Sequence, residues 1–442
     1  MAMYIQRDAD RNLREWKEAS RRKPLLIRGA RQTGKTTSVR KLGEAFDSFV
    51  ELNFDADPAL AELFAGAYDI PAILSKIEVI AGQRIVPGRT LLFLDEIQAC
   101  PRAISALRYF YERVPDLHVV ATGSLLEFVF ADLHDFGVGR IRNLFFQPLS
   151  FAEFLRALGD GLLWERAIGA TPAQPLEAPF HARLLERLRA FLVVGGLPAA
   201  VEAYVNTGSF VEAQREQDDI LVSLKADSGK YTRRVPPERV QAVLSAVVRQ
   251  TCEKFVYSDP SAGLGTAQAK DAAGLLEQAR LVLRVQASHA DGVPLGGDVN
   301  PKSSKLLLFD TGLYLRESGL DLSEWMADPP EKFVNRGKLA EMFVGLEIKK
   351  AAGASSDAEL FYWHREARGS NAEVDYLVQE GGRIVPIEVK AGRKGAMRSL
   401  GMLMDAKGLA LGLRFSQENL SEYGRVRTLP LYLAGVWPRF VQ

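Results

Sequence analysis

Residues 24–42 read PLLIRGARQTGKTTSVRKL, and this stretch decides the fold of the first part of the chain. A short apolar run, Leu25 to Ile27, leads into a loop in which Gly29 and Gly34 begin and end the spacing G-x-x-x-x-G before Lys and Thr. A loop of this kind, between a strand and a helix, surrounds phosphate groups with backbone N–H donors at the positive end of the helix. The pattern therefore predicts an α/β domain with a phosphate-binding loop.

Each polar residue of this loop has an expected task in binding ATP and Mg²⁺. The Lys35 ammonium reaches the terminal phosphates, and the Thr36 hydroxyl is a magnesium ligand. The alternative, a glycine-rich turn with an incidental lysine, is disfavoured because the pattern is long and its strand–helix context fits. The predicted nucleotide-contacting residues of the loop are Gly29, Ala30, Arg31, Gln32, Thr33, Gly34, Lys35, Thr36 and Thr37.

Acidic and hydroxyl side chains follow two further apolar runs. Residues 90–98, TLLFLDEIQ, deliver Asp95 and Glu96 at the carboxyl end of a predicted strand, where open parallel sheets bind their ligands. We expect Asp95 to hold magnesium and Glu96 to polarise the attacking water. In the segment LHVVATGSLL (117–126), the predicted strand is followed by Thr122 and Ser124, and either hydroxyl is a candidate for sensing the terminal phosphate, although a helix cap is the commoner role.

Two more apolar segments complete the first domain. The segments FVELNFD (49–55) and NLFFQPLS (143–150) bring the number of predicted strands to about five, with helical stretches between them. Alternation of strands and helices favours a parallel α/β sheet.

Composition narrows the class of protein without selecting a function. The 442 residues contain 56 Lys and Arg against 55 Asp and Glu, so no global field attracts nucleic acid or a membrane, and a nucleic-acid site has to be a local patch. Two cysteines are too few for a disulfide framework and are typical of a reducing cytoplasm. The first residues contain no apolar signal region, and no uninterrupted apolar span is present. We expect a cytoplasmic protein that is not inserted in a membrane.

Four motifs in order carry a family resemblance: IRGARQTGKTT (27–37), LLFLDEIQACP (91–101), VVATGSLLEF (119–128) and FFQPLSFAEFL (145–155). Together they resemble the AAA-family ATPases of bacteria and archaea, members of which often carry a C-terminal domain similar to PD-(D/E)xK nucleases. The resemblance implies ATP hydrolysis, and it implies a homo-oligomer in which an arginine of a neighbouring subunit assists that hydrolysis. Arg140 and Arg142 lie about where such an arginine is expected.

The resemblance and the residue patterns together predict four domains. These are a P-loop ATPase domain (1–160), a helical lid or linker (161–225), a winged-helix-like domain (226–325) and a restriction-endonuclease-like α/β domain (326–442). Two helices and a strand pair favour the winged-helix interpretation. Its candidate recognition helix, however, mixes Lys270 and Arg280 with Asp271 and Glu277, and groove-reading helices are normally more basic. The basic segment KADSGKYTRR (225–234) leaves phosphate contact open.

Residues 371–390, NAEVDYLVQEGGRIVPIEVK, predict a hairpin around Gly381 and Gly382, because a two-residue type I′ turn requires positive φ at both positions. Pairing Glu380 with Arg383 makes one face apolar. It also brings Asp375 opposite Glu388, and Glu373 opposite Lys390. Like charges across a sheet repel each other, and a divalent cation would relieve that repulsion.

A carboxylate on the preceding helix completes this second pattern. The helix NRGKLAEMFVGLEIKKA buries Leu339, Met342, Phe343 and Leu346 and carries Glu341. Glu341, Asp375, Glu388 and Lys390 reproduce the E…D…E-x-K pattern of the PD-(D/E)xK fold. The resemblance predicts the three carboxylates as metal ligands, with Glu388 and Lys390 as catalytic residues. A charge cluster that closes a strand end is the structural alternative.

Two functions follow from these patterns. The first is an ATPase coupled to a nuclease-like domain that acts on nucleic acid, with DNA as the expected partner. The second is an ATP-dependent regulatory switch whose C-terminal domain binds a protein partner and cleaves nothing. The E-x-K pattern favours the first function, while the neutral overall charge and the poorly basic recognition helix favour the second.

Overall fold

The computed structural model describes residues 3–132, 139–227, 235–258, 264–327, 337–365, 372–390 and 397–441. Its contacts divide the chain into two compact units. Unit 1 comprises residues 1–147 with two short segments, Gln278–Arg280 and Gly353–Asp357, and unit 2 comprises the remainder. Among the described residues, no helix combines the length and the apolarity that a membrane span requires.

Unit 1 is built on a five-stranded parallel sheet in the order β2-β3-β4-β1-β5. The predicted parallel α/β fold of this region is confirmed. Its strands are β1 (Leu25–Arg28), β2 (Ser48–Asn53), β3 (Thr90–Asp95), β4 (His118–Gly123) and β5 (Arg142–Phe145). Its helices are α1 (Ala9–Glu18), α2 (Lys35–Gly43), α3 (Ile70–Ala81), α4 (Pro101–Arg113) and α5 (Leu126–Asp132), with short 3-10 turns at Pro58–Phe64 and Ile97–Ala99.

In unit 1, the carboxyl ends of neighbouring parallel strands lie next to one another. Every residue of β3 and β4 is buried, because helices cover both faces of a parallel sheet. The strand β1 lies between β4 and β5, and the loop that follows it leads directly into α2. The carboxyl ends of β1, β3 and β4 therefore form one edge, and the predicted ATP-site residues lie along it.

Unit 2 begins with helices. These are α6 (Phe151–Ala157), α7 (Gly161–Gly169), α8 (Ala178–Val194), α9 (Pro198–Thr207), α10 (Phe210–Asp227), α11 (Pro237–Arg249) and α12 (Thr266–Gln278). A capping box at Ser150 and Glu153 starts α6 and satisfies two otherwise unpaired backbone donors. The later helices are α13 (Thr311–Glu317), α14 (Leu322–Ala327), α15 (Gly337–Ala351) and α16 (Arg398–Lys407).

One mixed eight-stranded sheet runs through unit 2, in the order β12-β13-β11-β10-β9-β8-β6-β7. Its strands are β6 (Val282–Ser288), β7 (Val299–Leu308), β8 (Leu360–His364), β9 (Glu373–Glu380), β10 (Arg383–Val389), β11 (Gly412–Ser416), β12 (Ser421–Tyr423) and β13 (Val426–Pro430). Two 3-10 segments, Leu295–Gly297 and Leu431–Phe440, complete this unit.

The strand pair expected to form a wing does not form a sheet of its own. The strand β6 pairs with β7 on one side and with β8 on the other, so a single sheet crosses the domain boundary that we expected at residue 325. A short strand pair cannot bury two faces by itself, and a neighbouring sheet edge provides the missing pairing. Residues 360–430 therefore continue a sheet that begins at residue 282.

Two basic residues of this region, for which the sequence left phosphate contact open, have acidic partners within the chain. Arg280 follows the end of α12, has φ of 61°, and forms ion pairs within unit 1 with Glu127 and Asp357, at 2.7 and 2.8 Å. Lys225 lies 2.8 Å from Glu317. Residues 228–234 of the basic segment lie outside the described residues.

Candidate functional sites

The loop between β1 and α2 is shaped by a close approach of two backbones. A Cβ atom at Gly29 would lie 2.4 Å from the carbonyl oxygen of Phe146, so only glycine fits there. The loop is also held from outside by Arg7, whose Nη1 donates to the Thr33 carbonyl oxygen at 2.7 Å and whose Nη2 donates to that of Gln147 at 2.7 Å. Sequence reasoning missed Arg7 because it lies more than twenty residues before the motif.

Lys35 is buried at the centre of this loop. Its Nζ donates to the carbonyl oxygens of Gly29 and Ala30, at 3.0 and 2.7 Å. Burial lowers the pKa of the Lys35 ammonium to about 8, although the charges of Glu96 and Asp95 oppose that change. A buried ammonium that donates to neutral carbonyl groups keeps its full charge available for a phosphate.

The carboxylate of Asp95 accepts hydrogen bonds from side chains of three other elements, α2, β2 and β4. Thr36 Oγ1 donates to its two oxygens at 3.1 and 3.2 Å, and Asn53 Nδ2 donates to Oδ2 at 3.1 Å. The Thr122 hydroxyl also donates to Oδ1. Hydroxyl and carboxylate oxygens are the donors that magnesium prefers, so Thr36 and Asp95 fit the ion that the sequence predicts. Asn53 was not among the predicted residues.

Glu96 directly follows β3 in a left-handed conformation, with φ of 50°. A non-glycine residue in this region carries strain of the order of 1 kcal/mol, and such strain is concentrated at functional sites. Gln98 Nε2 donates to Oε2 of the Glu96 carboxylate. The side chain is thereby oriented by a neighbour two residues along the chain.

The two candidate hydroxyls after β4 have different environments. Thr122 is engaged with Asp95, whereas Ser124 is 1% exposed and its Oγ has no hydrogen-bond partner within the described ranges. A buried hydroxyl without a partner costs free energy unless a ligand satisfies it. Ser124 is therefore the better candidate for contacting a phosphate.

The other predicted loop residues serve the loop or face solvent. Thr33 Oγ1 donates to the Ala30 carbonyl oxygen at 2.9 Å, and Gln32 adopts φ of 61°. Thr37 is exposed, and Arg31 is partly exposed. The Thr33 hydroxyl thus shapes the loop, while Arg31 is close enough to Lys35 to lower the pKa of its ammonium.

The two arginines considered as contributions to a neighbouring subunit lie at or near the start of β5. Arg140 Nε is 2.5 Å from Glu112 Oε1, and its side chain is 45% exposed. Arg142 is exposed at the first position of the strand. Their role in an oligomer stays a prediction.

In unit 2, the predicted hairpin register is observed. Gly381 and Gly382 have φ of 55° and 76°, and the ladder from Arg383↔Glu380 to Ile387↔Tyr376 matches the expected pairs. Beyond the last pair, Oδ2 of Asp375 accepts from the Val389 N–H at 2.7 Å.

Two of the three carboxylates predicted as metal ligands, Glu341 and Asp375, come together with Glu373 and with a cation that the sequence did not reveal, whereas Glu388 is not part of this group. One oxygen each of Glu341, Glu373 and Asp375 lies within 4.8 Å of the others. Lys305 on β7 lies between two of them, with Nζ 2.7 Å from Glu341 Oε1 and 2.6 Å from Glu373 Oε1. The ammonium that pairs with Glu373 is thus that of Lys305, while the predicted position of Glu373 opposite Lys390 lies beyond the observed ladder and stays a prediction.

Glu388 and Lys390 form their own pair beside this cluster. Lys390 Nζ is paired with Oε1 of Glu388, while Glu388 Oε2 is buried without a hydrogen-bond partner in the part of the chain that the structure describes. Burial, and then the charge of Asp375, raise the pKa of Glu388 to about 7. The same two causes raise the pKa of Glu341 to about 8, against the opposing effect of Lys305.

Ionisation of the cluster is balanced by its two lysines. Burial would lower the pKa of Lys305, but Glu341, Glu373 and Asp375 raise it above the ordinary value. For Asp375, burial raises the pKa while Lys305 lowers it. The arrangement fits the donor chemistry of a divalent-ion site, although part of its negative charge is already compensated within the chain.

Comparison with known proteins identifies the first domain. Residues 21–155 match a family model described as an AAA domain. Residues 185–324 and 336–433 match two models described as domains of unknown function, DUF8612 and DUF4143. No curated protein matches the chain. Residues 21–155 therefore form an AAA-type, ATP-binding domain.

Similar solved structures include two shorter proteins, which the alignment covers almost completely. The Walker-type ATPase paby2304 of Pyrococcus abyssi is 14% identical, with a TM-score of 0.45 over 71% of this chain and 96% of that chain. The Aeropyrum pernix Orc1 protein, solved in complex with DNA, is 15% identical, with a TM-score of 0.31 over 73% and 94%.

A third similar structure is a much longer protein. It is a signal transduction ATPase with numerous domains (STAND) and a tetratricopeptide repeat sensor, PH0952 from Pyrococcus horikoshii. It is 12% identical, with a TM-score of 0.28 over 79% of this chain and 48% of that chain. At these scores, none of the three similarities defines the function of this chain.

Proposed function

We propose that this chain is an ATP-driven motor or switch that hydrolyses ATP with magnesium in its AAA domain. The observation that carries the proposal is the meeting of the Thr36 hydroxyl with the Asp95 carboxylate at 3.1 Å, beside the buried Lys35 ammonium. Thr36 and Asp95 would hold Mg²⁺, which neutralises charge on the phosphates. Lys35 would bind the terminal phosphates, and Ser124 Oγ would donate to one of their oxygens.

Glu96 is the proposed base for the attacking water. Gln98 holds its Oε2, so Oε1 is the atom that would accept the proton from water. The left-handed backbone at Glu96 directs this carboxylate from the end of β3, next to the residue that holds the ion.

The test of this proposal is magnesium-dependent ATP turnover by the full chain, with and without single-stranded, duplex and branched DNA. We expect turnover that requires magnesium and that one DNA form stimulates. Turnover that no DNA form changes would favour the switch function, and a chain that binds ATP without any turnover would contradict the proposed hydrolysis.

For unit 2, we propose a metal-dependent phosphodiesterase that acts on nucleic acid. The meeting of Glu341 with Asp375, and the electrostatic effect of Asp375 on Glu388, which is paired with Lys390, support this function. Asp375 and Glu388 would hold one divalent ion, and Lys390 would stabilise negative charge on the phosphate. The expected result is DNA cleavage in Mn²⁺ that is lost in Lys390→Ala and kept in the exposed control Lys302→Ala.

A regulatory switch that binds a protein partner is the second candidate. The ion pairs of Lys305 with Glu341 and Glu373 favour it, because charges compensated inside the chain are characteristic of structural clusters. Metal binding without cleavage of any nucleic acid tested would select this candidate. The experiments require the full chain, because the segment 326–442 alone lacks β6 and β7 of the shared sheet.

Oligomer formation with ATP remains part of the proposal. Arg140 or Arg142 of a neighbouring copy would contact the terminal phosphate. Measuring the molecular mass of the protein in solution with a slowly hydrolysed ATP analogue tests whether it forms an oligomer. A monomer with full ATPase activity would show that neither arginine is needed from a neighbouring copy.

A further inference from the structure

Lys305 is an unusual residue for the strand that carries it. It lies in β7 within the run KLLLFD, and its side chain is 0% exposed. An ammonium group is costly to bury unless ionic partners replace its water. The fold therefore has to provide those partners, and it takes them from two other elements.

The partners come from α15 and β9. The Lys305 Nζ lies 2.7 Å from Glu341 Oε1 and 2.6 Å from Glu373 Oε1, and it also lies 4.9 Å from the centre of the Tyr362 ring. The hydroxyl of Tyr362 is fixed by Ser303 at 2.8 Å. The ammonium is thus held at a defined point between the two carboxylates.

The same carboxylates are the group that could coordinate a metal ion. Oxygens of Glu341, Glu373 and Asp375 lie within 4.8 Å of one another, and a divalent ion would have to sit between them at about 2.0 to 2.6 Å from each. Lys305 Nζ lies at nearly that distance from two of the three carboxylates, so the ammonium and a divalent ion exclude each other.

An independent feature lies on the other side of Asp375. Glu388 is 5% exposed, and its Oε2 has no hydrogen-bond partner among the residues that the structure describes. The observed hairpin register, continued by one pair beyond Ile387↔Tyr376, puts Asp375 opposite Glu388 on the same face. Oε1 of Glu388 is paired with Lys390, so the oxygen left for the proposed ion at Asp375 and Glu388 is Oε2, which Lys305 does not contact.

We propose that the Lys305 ammonium takes the place of one divalent ion among Glu341, Glu373 and Asp375, and thereby limits the site to a single external ion at Asp375 and Glu388. This inference rests on the proposed metal-dependent function of unit 2 and deepens it. Lys305 acts as a specificity-determining residue, because it sets how many ions the site accepts. Chemistry at this site then uses one metal ion with a fixed ammonium beside it.

The test is a Mn²⁺ titration of the full chain without nucleotide, in which the loss of the free-ion electron paramagnetic resonance signal counts bound ions. We expect Lys305→Met to bind one more ion than the wild-type protein, and Lys302→Met, on the same strand but exposed, to bind the same number as wild type. Any ion at the ATP site contributes equally to all three proteins and cancels. An unchanged count in folded Lys305→Met would overturn the inference.

A second measurement covers the case in which Lys305→Met does not fold without metal. We then expect Mn²⁺, but not NaCl at the same ionic strength, to restore its circular dichroism spectrum. The double variant Lys305→Met/Glu373→Gln should fold without metal and show no extra ion. A Lys305→Met chain that stays unfolded in Mn²⁺ would contradict the proposed substitution of metal for ammonium.

The nuclease function and this inference fail in different ways. Absence of DNA cleavage in the wild-type protein counts against the nuclease proposal and leaves the difference in ion number unaffected. An equal ion number in wild type and folded Lys305→Met counts against the inference even when DNA is cleaved.

Discussion

The two polar sites of this molecule both lie where strands end, yet they balance their charges differently. In unit 1, the donors to Asp95 are uncharged, namely two hydroxyls and one amide, and the Lys35 ammonium donates to backbone carbonyls. In unit 2, Lys305 and Lys390 pair directly with carboxylates. The first site keeps its charges for a ligand, and the second compensates much of its charge within the chain.

The comparison indicates how a ligand site differs from a structural ion cluster. Neutral hydrogen-bonding groups orient a buried charge without cancelling it, so an incoming phosphate or metal ion still meets a strong field. Counter-ions cancel that field at short range, and binding then has to displace or bypass them. We therefore expect the ATP site to be most sensitive to substitution of its reactive groups. We expect the acidic cluster to be most sensitive to substitutions that change its net charge.

The largest expected effect is on catalysis in unit 1. Glu96→Gln removes the base and keeps the loop, so we expect ATP turnover to fall about 100- to 10,000-fold, the usual range for losing a general base, with ATP affinity nearly unchanged. Turnover and nucleotide binding are measured on the same preparation. The exposed control Glu44→Gln should keep its turnover, and normal turnover in Glu96→Gln would refute the role assigned to Glu96.

The next effect concerns the ion pairs of unit 2. In chelator, Lys305→Met leaves Glu341 and Glu373 without their cation, and breaking a buried ion pair costs about 3–5 kcal/mol of unfolding free energy. Lys302→Met, exposed on the same strand, should stay within about 0.5 kcal/mol of wild type. Urea denaturation measures both, and equal stability of the two variants would contradict the structural importance of the pair.

A smaller effect is the pH dependence that Lys35 gives to unit 1. Burial lowers its pKa to about 8, so the unfolded chain binds a proton that the folded chain lacks between about pH 8 and the ordinary lysine value. Stability of the nucleotide-free protein therefore rises with pH in this window. ATP affinity should fall there, by up to about tenfold per pH unit, because phosphate binding needs the protonated ammonium.

Isothermal titration with ATP from pH 7 to 10 checks the slope in affinity, and urea denaturation over the same range checks the slope in stability. The Lys35→Met variant should bind more weakly and lose the slope in affinity. A wild-type affinity that does not change across this range would show that Lys35 is protonated throughout.

The smallest effect is the release of repulsion at Asp375. Burial raises the pKa of this carboxyl, so its contribution to stability is lost as pH rises through the folded pKa. Asp375→Asn avoids that loss, and its amide oxygen can still accept from the Val389 N–H. We expect a gain of about 1 kcal/mol or less at pH 7, the size of a cross-strand charge pair, and no gain near pH 3.

The melting temperature in chelator measures this gain, with the exposed Asp405→Asn as control. Added Mn²⁺ should stabilise the wild-type protein more than Asp375→Asn. A loss of stability in Asp375→Asn, with no response of either protein to metal, would make the cluster a structural ion network.

Local sequence was sufficient to predict several parts of both sites. The phosphate-binding loop and the acidic end of β3 are specified by adjacent residues, and Gly381 and Gly382 fix the hairpin turn. Since side chains alternate strictly along a strand, the turn then determines every pair that follows it. The same alternation is enough to predict that Asp375 and Glu388 share one face of the hairpin.

The sequence could not separate the two hydroxyls after β4, nor reveal Arg7 and Lys305. Thr122 and Ser124 differ because only one of them meets Asp95, which belongs to another strand. Arg7 supports the loop from outside its motif, and Lys305 resembles any lysine of a half-buried strand. Contacts between residues far apart in the chain decide each of these cases.

The sequence by itself determined the nucleotide-binding α/β domain and the hairpin register, because both depend on backbone conformations that neighbouring residues impose. Only the tertiary structure decided that β6 and β7 join the C-terminal sheet, and that Lys305 enters the carboxylate cluster. The physical reason is that pairing of sheet edges and compensation of buried charge depend on which segments meet in space. Local sequence carries little information about such partners, which come from segments tens of residues away.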